Sequence, residues 1–277
     1  MPKREMRTMA IKAYRVGFLF ILLVSPAANQ AAAEQPVRLS VLSYNIHHGE
    51  GIDGKLDLQR IAGVIKSVDP DLVALQEVDK KVKRSDSVDQ PAELARIVEM
   101  QVVFAANIEL QGGHYGNAVL SRYPIVHHHN HLLPRVDNGE QRGLIEAEIQ
   151  VPRLNAPLLL LATHLDHRPN DRERIASTAV INQRVSNQVQ RLALLAGDMN
   201  AVPESKVLAE IGTKWMSANS VPQPTVPVGK PVKQIDYILA HPRDRWKVVE
   251  FKVLDEAVAS DHRAVFSVLE LLPQQTR

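Results

Sequence analysis

The chain has 277 residues, 45% hydrophobic and 23% charged, the make-up of an ordinary globular protein with one large domain or two small ones. It has no cysteine, which excludes disulfides, thiol nucleophiles and cysteine-bound zinc. The formal charge of the whole chain is +2.

Lys3, Arg4, Arg7, Lys12 and Arg15 make a basic start, Val16 to Val24 is nearly all apolar, and Ala31, Ala32 and Ala33 follow. A basic region, a short apolar core and an A-x-A exit mark a secretory signal peptide. Residues 1–33 are therefore expected to be cleaved, leaving a secreted or periplasmic protein in which 34–277 forms the catalytic domain. The apolar core is about half the roughly 18 residues that a span needs, so no stable membrane span is expected. The alternative is retention of the segment as an anchor. Five of the 33 basic residues and one of the 31 acidic residues lie in 1–33, so the remainder carries 28 against 30, a balance of −2.

Val37 to Ile46 reads as a strand, being apolar and β-branched with partial alternation. Asp57 is an N-cap for a helix through Ser67 that places Leu58, Ile61, Ala62 and Ile65 on one face. Leu72 to Leu75 is a short strand delivering Gln76 and Glu77 to its end, and a helix covers Pro91 to Met100. Strands follow at Val102 to Ala105, Ala118 to Leu120, Ile125 to Leu133, Leu144 to Ile149 and Leu158 to Thr163. A polar helix from Arg172 to Val189 precedes a strand at Leu192 to Ala196. Strands at Ile235 to Leu239, Lys247 to Val253 and Val265 to Leu269 end the pattern. Pro222, Pro224, Pro227 and Pro231 mark a long loop, and loops of that length in compact domains are usually functional or mobile. Strands outnumber helices and come in runs, which predicts two packed sheets with helices outside.

Five polar clusters terminate apolar strands: Asn45, Glu77, Thr163 with His164, Gly197 to Asn200, and Ser260 to His262. A rigid core places such strand-end side chains accurately. Oxygen ligands without thiolates suit a hard cation such as magnesium or manganese, and histidines exchange protons near neutral pH. Together they suit phosphoryl transfer, in which stabilising charge dominates. Taken singly, a strand-end Glu77 or a Gly-Asp turn is more often structural.

The order of these clusters resembles the endonuclease/exonuclease/phosphatase superfamily, which includes DNase I and bacterial sphingomyelinases. The resemblance spans about residues 39–269. It rests on SYNIHHG at 43–49, LQEVD at 75–79, YGNAVLSRYPI at 115–125, THLDH at 163–167, GDMNAVP at 197–203, IDYIL at 235–239 and SDHRAV at 260–265. It implies an α/β fold, the four-layer α/β/β/α sandwich of two packed mixed sheets (DNase I-like). It also implies magnesium, with manganese as an alternative, held by Asn45, Glu77 and Asp261. Asp198, Asn200, His164 and His262 would face the scissile phosphate, with Asp236 fixing the far nitrogen of His262. Tyr115, Asn117 and Arg142 would contact the substrate. HHG and THLDH resemble secreted bacterial members and the C-terminal region of GPI-anchor lipid remodelling proteins.

The expected reaction is hydrolysis of a phosphoric ester by activated water. The expected partner is a small or lipid phosphodiester in preference to nucleic acid. A secreted nuclease is the alternative, although 4% aromatic residues leave few rings for stacking bases. A catalytically silent binding module is the third reading, and the intact acidic and histidine positions stand against it. Oligomeric state is encoded by no motif. Strand alternation splits His127, His128, His129 and His131 between two faces, which argues against a metal tract. His47 and His48 either line the pocket or form a turn satisfied by backbone. Lys80, Lys81, Lys83 and Arg84 form either a solvated loop or an anion-attracting lip on the cleft.

Overall fold

The computed structural model describes residues 1–2, 36–136, 138–186 and 190–274. The expected signal peptide, beyond its first two positions, and the expected helix end at Val189 lie outside the described residues. The first half runs β1 (Arg38–Asn45), α1 (Leu58–Lys66), β2 (Leu72–Lys80), α2 (Gln90–Val98), β3 (Gln101–Leu110), β4 (Gly113–Ser121), β5 (Ile125–Leu132) and β6 (Gly143–Ile149). The second runs β7 (Leu158–His164), α3 (Arg172–Ser186), β8 (Ala193–Asp198), α4 (Lys206–Gly212), β9 (Met216–Ser217), β10 (Asp236–His241), β11 (Trp246–Val253) and β12 (Val265–Leu271).

Two six-stranded sheets result, ordered β11-β12-β1-β2-β4-β3 and β5-β6-β7-β8-β10-β9. Each is mixed: β1 runs parallel to β2 and β7 parallel to β8, while the other pairings are antiparallel. This is the DNase I-like sandwich that the motifs imply. The central strands read as nearly unbroken apolar runs because both of their faces are covered. In β1, Leu39 and Val41 enter the core between the sheets, while Leu42 and Tyr44 enter the core beneath α1 and α2. In β8, Leu194 and Ala196 face the first sheet, and Leu195 packs with Ile181 of α3 and Ile211 of α4. Each such fully buried large side chain contributes roughly 1.5–3 kcal/mol.

Local expectations differ from the structure in several places. β2 does not end at Glu77 but continues to Lys80 through a bulge between Leu75 and Val78, where Glu77 adopts φ 57°. β3 and β4 form a longer hairpin than their apolar centres indicate. α4 was not expected: Ser205 caps it by accepting from Leu208 N at 3.3 Å, and Val207 and Ile211 are its buried residues. The proline loop reaches the site through Thr225 and carries a bridge between Val226 and Lys233. Among the described residues, no helix is long and apolar enough to cross a membrane.

Candidate active site

Register places the polar clusters at one end of the sandwich. Asn45 pairs with Gln76 across β1 and β2, His164 with Asp198 across β7 and β8, and Asp236 with Asp198 across β10 and β8. The turn carrying Ser260 to His262 enters β12 beside the end of β1, where Ser260 Oγ donates to Asn45 O at 2.7 Å.

A single amide joins the two sheets there. Asn45 Nδ2 donates to Glu77 Oε1 at 3.0 Å and to Asp198 Oδ2 at 3.2 Å. The bulge in β2 re-aims Glu77 toward this point. A non-glycine residue in the left-handed region is strained by about 1–3 kcal/mol, and such strain clusters at functional sites. Asn200 is also left-handed, at φ 46°, with its N–H donating to Asp198 Oδ1 at 2.8 Å.

Two histidines flank Asp198, and their outer partners carry opposite charge. His262 Nδ1 donates to Asp236 Oδ2 at 3.0 Å, and its Nε2 lies 3.7 Å from Asp198 Oδ2. Thr225 Oγ1, from the proline loop, donates to Asp236 Oδ2 at 2.6 Å. His164 has an arginine behind it. Its Nδ1 faces Arg142 Nη1 at 3.1 Å, while its Nε2 lies 3.0 Å from the Asn200 amide and 3.5 Å from Asp198 Oδ2.

Burial alone lowers the pKa of His262, but the carboxylates of Asp236 and Asp198 outweigh it and raise the imidazole to about 10. His164 goes the other way, well below the ordinary imidazole value, through burial first and then through Arg142, His262 and His167. Burial and the neighbouring Asp236 push Asp198 up to about 7 despite the opposing pull of His262. One imidazole is thus held cationic and the other neutral, on either side of a carboxyl group that is hard to ionise.

The expected metal ligands are brought together only in part. Asn45 touches Glu77, and the half-buried Asp261 is tethered beside Asn45 through Ser260, whose Oγ lies 3.4 Å from Asp261 Oδ1. Among the described residues, the acid and imidazole groups converging within 4.8 Å are instead Asp198, Asp236 and His262. Two of these are already bonded to each other, which suits proton handling better than ligation. The donors left for a cation, Asn45, Glu77 and Asp261, offer oxygen atoms and so fit a hard one. The raised pKa of Asp198 is what such an anion-rich, dry pocket produces.

Tyr115 is buried with its ring 5.3 Å beneath the Arg84 guanidinium, and burial followed by the charge of Glu77 raises its hydroxyl pKa. Asn117 is occupied elsewhere, its Nδ2 donating to Gly143 O at 3.2 Å. Arg142 is buried and spends its terminal nitrogens on His164, on His167 Nδ1 at 3.2 Å and on Glu140 at 2.9 Å.

Of the basic lip, Arg84 is bound to buried Asp79 at 2.8 Å and Lys80 lies 3.9 Å from Asp89, whereas Lys81 and Lys83 are exposed. His47 and His48 form a left-handed turn held by Gln90 Nε2 donating to His48 O at 2.6 Å. On β5, His127, His129 and His131 share the face of Leu144, with His131 Nε2 bonded to Glu146 at 2.9 Å, while His128 points to the other side. Thr225 and Glu140 belong to no motif in the sequence. Each approaches from a loop, and the only signal was the long proline segment around Thr225.

The model of the endonuclease/exonuclease/phosphatase family matches residues 42–262. The uncharacterized protein YbhP of Escherichia coli strain K12 is 29% identical over 218 residues, covering 74% of this chain and 85% of that protein. The 5′-tyrosyl-DNA phosphodiesterase of Caenorhabditis elegans is 28% identical over 202 residues, covering 66% of this chain and 49% of its own length. Among solved structures, an endonuclease/exonuclease/phosphatase of Beutenbergia cavernae superposes with a TM-score of 0.71 at 25% identity, covering 84% of this chain and 72% of that one.

Proposed function

The chain belongs to the endonuclease/exonuclease/phosphatase family and is a phosphoric-ester hydrolase, and from that premise we propose a magnesium-dependent phosphodiesterase acting on a small or lipid phosphodiester. The observation carrying this reading is the convergence of His262, His164 and Asn200 on Asp198, beside the Asn45–Glu77 pair. Above about pH 7, where Asp198 is ionised, it accepts the proton of the attacking water. As the P–O bond to the leaving group breaks, the cationic His262 returns a proton to the departing oxygen. His262, kept cationic by Asp236, and the neutral His164 present N–H groups to the phosphoryl oxygens, where donors fixed in advance are most effective. Asn45, Glu77 and Asp261 would hold a divalent cation, which supplies charge neutralisation at a phosphoryl oxygen when bound.

Turnover of bis(p-nitrophenyl) phosphate with magnesium tests the chemistry, and no turnover with any divalent cation would refute it. Plasmid nicking beside phospholipid headgroup release then tests the substrate class. The second reading is a nuclease, favoured by the relative named as a DNA phosphodiesterase, although this chain spans about half of that protein. The balance of −2 outside residues 1–33 favours the small ester. Export rests on the basic and apolar pattern of 1–33, and N-terminal sequencing of the fractionated protein checks cleavage near Glu34.

A further inference from the structure

We propose that Arg142 is a positioning residue for His164, fixing that imidazole as its Nε2–H tautomer and aiming it at Asp198, and is not a phosphate contact. Arginine carries five N–H donors and no acceptor. Its Nη1 lies 3.1 Å from His164 Nδ1, so that ring nitrogen must be the acceptor. A neutral imidazole with an accepting Nδ1 carries its proton on Nε2, the nitrogen turned toward Asp198 Oδ2 at 3.5 Å. Asn200 Nδ2, 3.0 Å from Nε2, carries two hydrogens: one goes to Leu165 O at 3.0 Å, and the Nε2–H tautomer requires the other to turn away from the ring.

Arg142 is itself immobilised. Its side chain is 4% exposed, Glu140 Oε1 lies 2.9 Å from Nη1, and Nη2 faces His167 Nδ1 at 3.2 Å. Gly143, the next residue, is pinned through its carbonyl by Asn117 Nδ2 at 3.2 Å and Thr163 Oγ1 at 2.9 Å. The segment therefore ties β4 and β7 to Arg142, and through it to His164. An arginine free to grip a phosphate would keep its terminal nitrogens available, and here both face histidine rings. The site thus orients its two imidazoles with opposite partners: Asp236 accepts a hydrogen bond from His262 Nδ1–H, and Arg142 forbids a proton on His164 Nδ1.

The catalytic part of this inference rests on the phosphoesterase reading, whereas the tautomer does not. The first test leaves Arg142 in place. In ¹⁵N-histidine-labelled full-length protein, with His164 assigned by the signal lost in His164→Gln, two-bond ring correlations should show a bare Nδ1 and a protonated Nε2. A protonated Nδ1 would overturn the proposal whether or not the protein hydrolyses any ester.

The second test is kinetic, on bis(p-nitrophenyl) phosphate. Arg142→Met should lower kcat roughly 10²-fold with KM nearly unchanged, on the scale of losing one oriented donor. Arg142→Lys, which keeps a cationic donor, should recover part of kcat and the wild-type tautomer. Arg142→Met combined with His164→Gln should be no slower than His164→Gln alone. A rise in KM at constant kcat, with the tautomer intact, would return Arg142 to the phosphate. Should Arg142→Met not fold, the wild-type tautomer and the lysine variant still decide.

Discussion

His262 Nδ1 donates to Asp236 Oδ2 at 3.0 Å, which leaves Nε2 as the only ring nitrogen facing Asp198 and the cleft. Asp236 is in turn held by Thr225 Oγ1 at 2.6 Å, so the carboxylate cannot swing away from the ring. Asp236→Asn preserves shape but removes the charge that keeps the imidazole cationic and its tautomer fixed. Activity should fall by roughly 10²–10⁴-fold, the range for a proton-transfer group, and about as far as in His262→Ala. The double substitution should cost little more, because groups acting as a unit are not additive. Losses that multiply in the double variant would separate the two residues.

Glu77→Gln keeps the bulge and the volume but removes an anion from the cation site. Activity should drop at least ~10²-fold, on the scale of an electrostatic contact to the transition state. A second readout is independent of turnover. A cation at a hundred times its Kd stabilises the folded state by about 2.7 kcal/mol. Magnesium added after EDTA treatment should therefore raise Tm in the wild type and much less in Glu77→Gln. Equal shifts in the two proteins would move the cation elsewhere.

The contribution of His262 to stability has a definite sign. Its folded pKa of about 10 lies above the ordinary 6.5, so the stability it adds is fully present below 6.5 and is lost as pH rises through about 10. Asp198 acts at a lower range. Its pKa rises from 3.8 to about 7, so the stability gained by keeping it protonated is lost as pH climbs through that interval. Melting curves of the wild type and His262→Gln from about pH 7 upward should converge near pH 10. A gap that persists unchanged would mean that the imidazole is neutral in the folded protein.

The legible parts of the fold are those set by local pattern and burial. β1 and β8 read as strands because both faces are buried, and Asp57 marked the start of α1 by accepting from Arg60 N at 2.9 Å. The bulge at Glu77 was hidden because it belongs to the register between β2 and β4, a relation between residues far apart in sequence. α4 was hidden because seven residues carry little periodicity, and packing against α3 decides it. In the site, the strand-end residues were legible as motifs. The role of Arg142 was not, since its partners His164 and His167 lie on β7 and the segment after it, and only the assembled sheet shows its nitrogens facing rings.

Gly197 shows how closely the site's two central strands approach. A Cβ built there would lie 2.0 Å from Thr163 O across the parallel pair β7 and β8. Gly197→Ala must therefore push the strands apart, and overpacking of this kind typically costs about 1–3 kcal/mol. Because Asp198 follows directly, activity should fall more than stability alone explains. Gly63→Ala is the control, since nothing lies within 4 Å of a Cβ there and the position is inside α1. It should be neutral or stabilising by up to about 1 kcal/mol. Urea denaturation of both variants decides the point.

Substrate attraction is the remaining question for the rim. Arg84 is unsuitable for neutralisation, because it compensates Asp79, whose side chain is fully buried, and removing one partner of such a pair strands a charge. Lys81 and Lys83 are exposed, and Lys83 lies in the same single helical turn as Arg84. If they draw in a small anionic ester, their effect is on encounter and binding and is screened by salt. Lys81→Gln with Lys83→Gln should then raise KM about two- to ten-fold at low ionic strength, leave kcat unchanged, and differ little from wild type in high salt. A duplex substrate behaves differently: every phosphate that the protein ceases to neutralise reduces the slope of log affinity against log salt by about 0.9. Removing two lysines that bind DNA phosphates would flatten that slope by nearly two. An unchanged slope together with a higher KM for the small ester supports the small-substrate reading, and the reverse pair of results supports the nuclease.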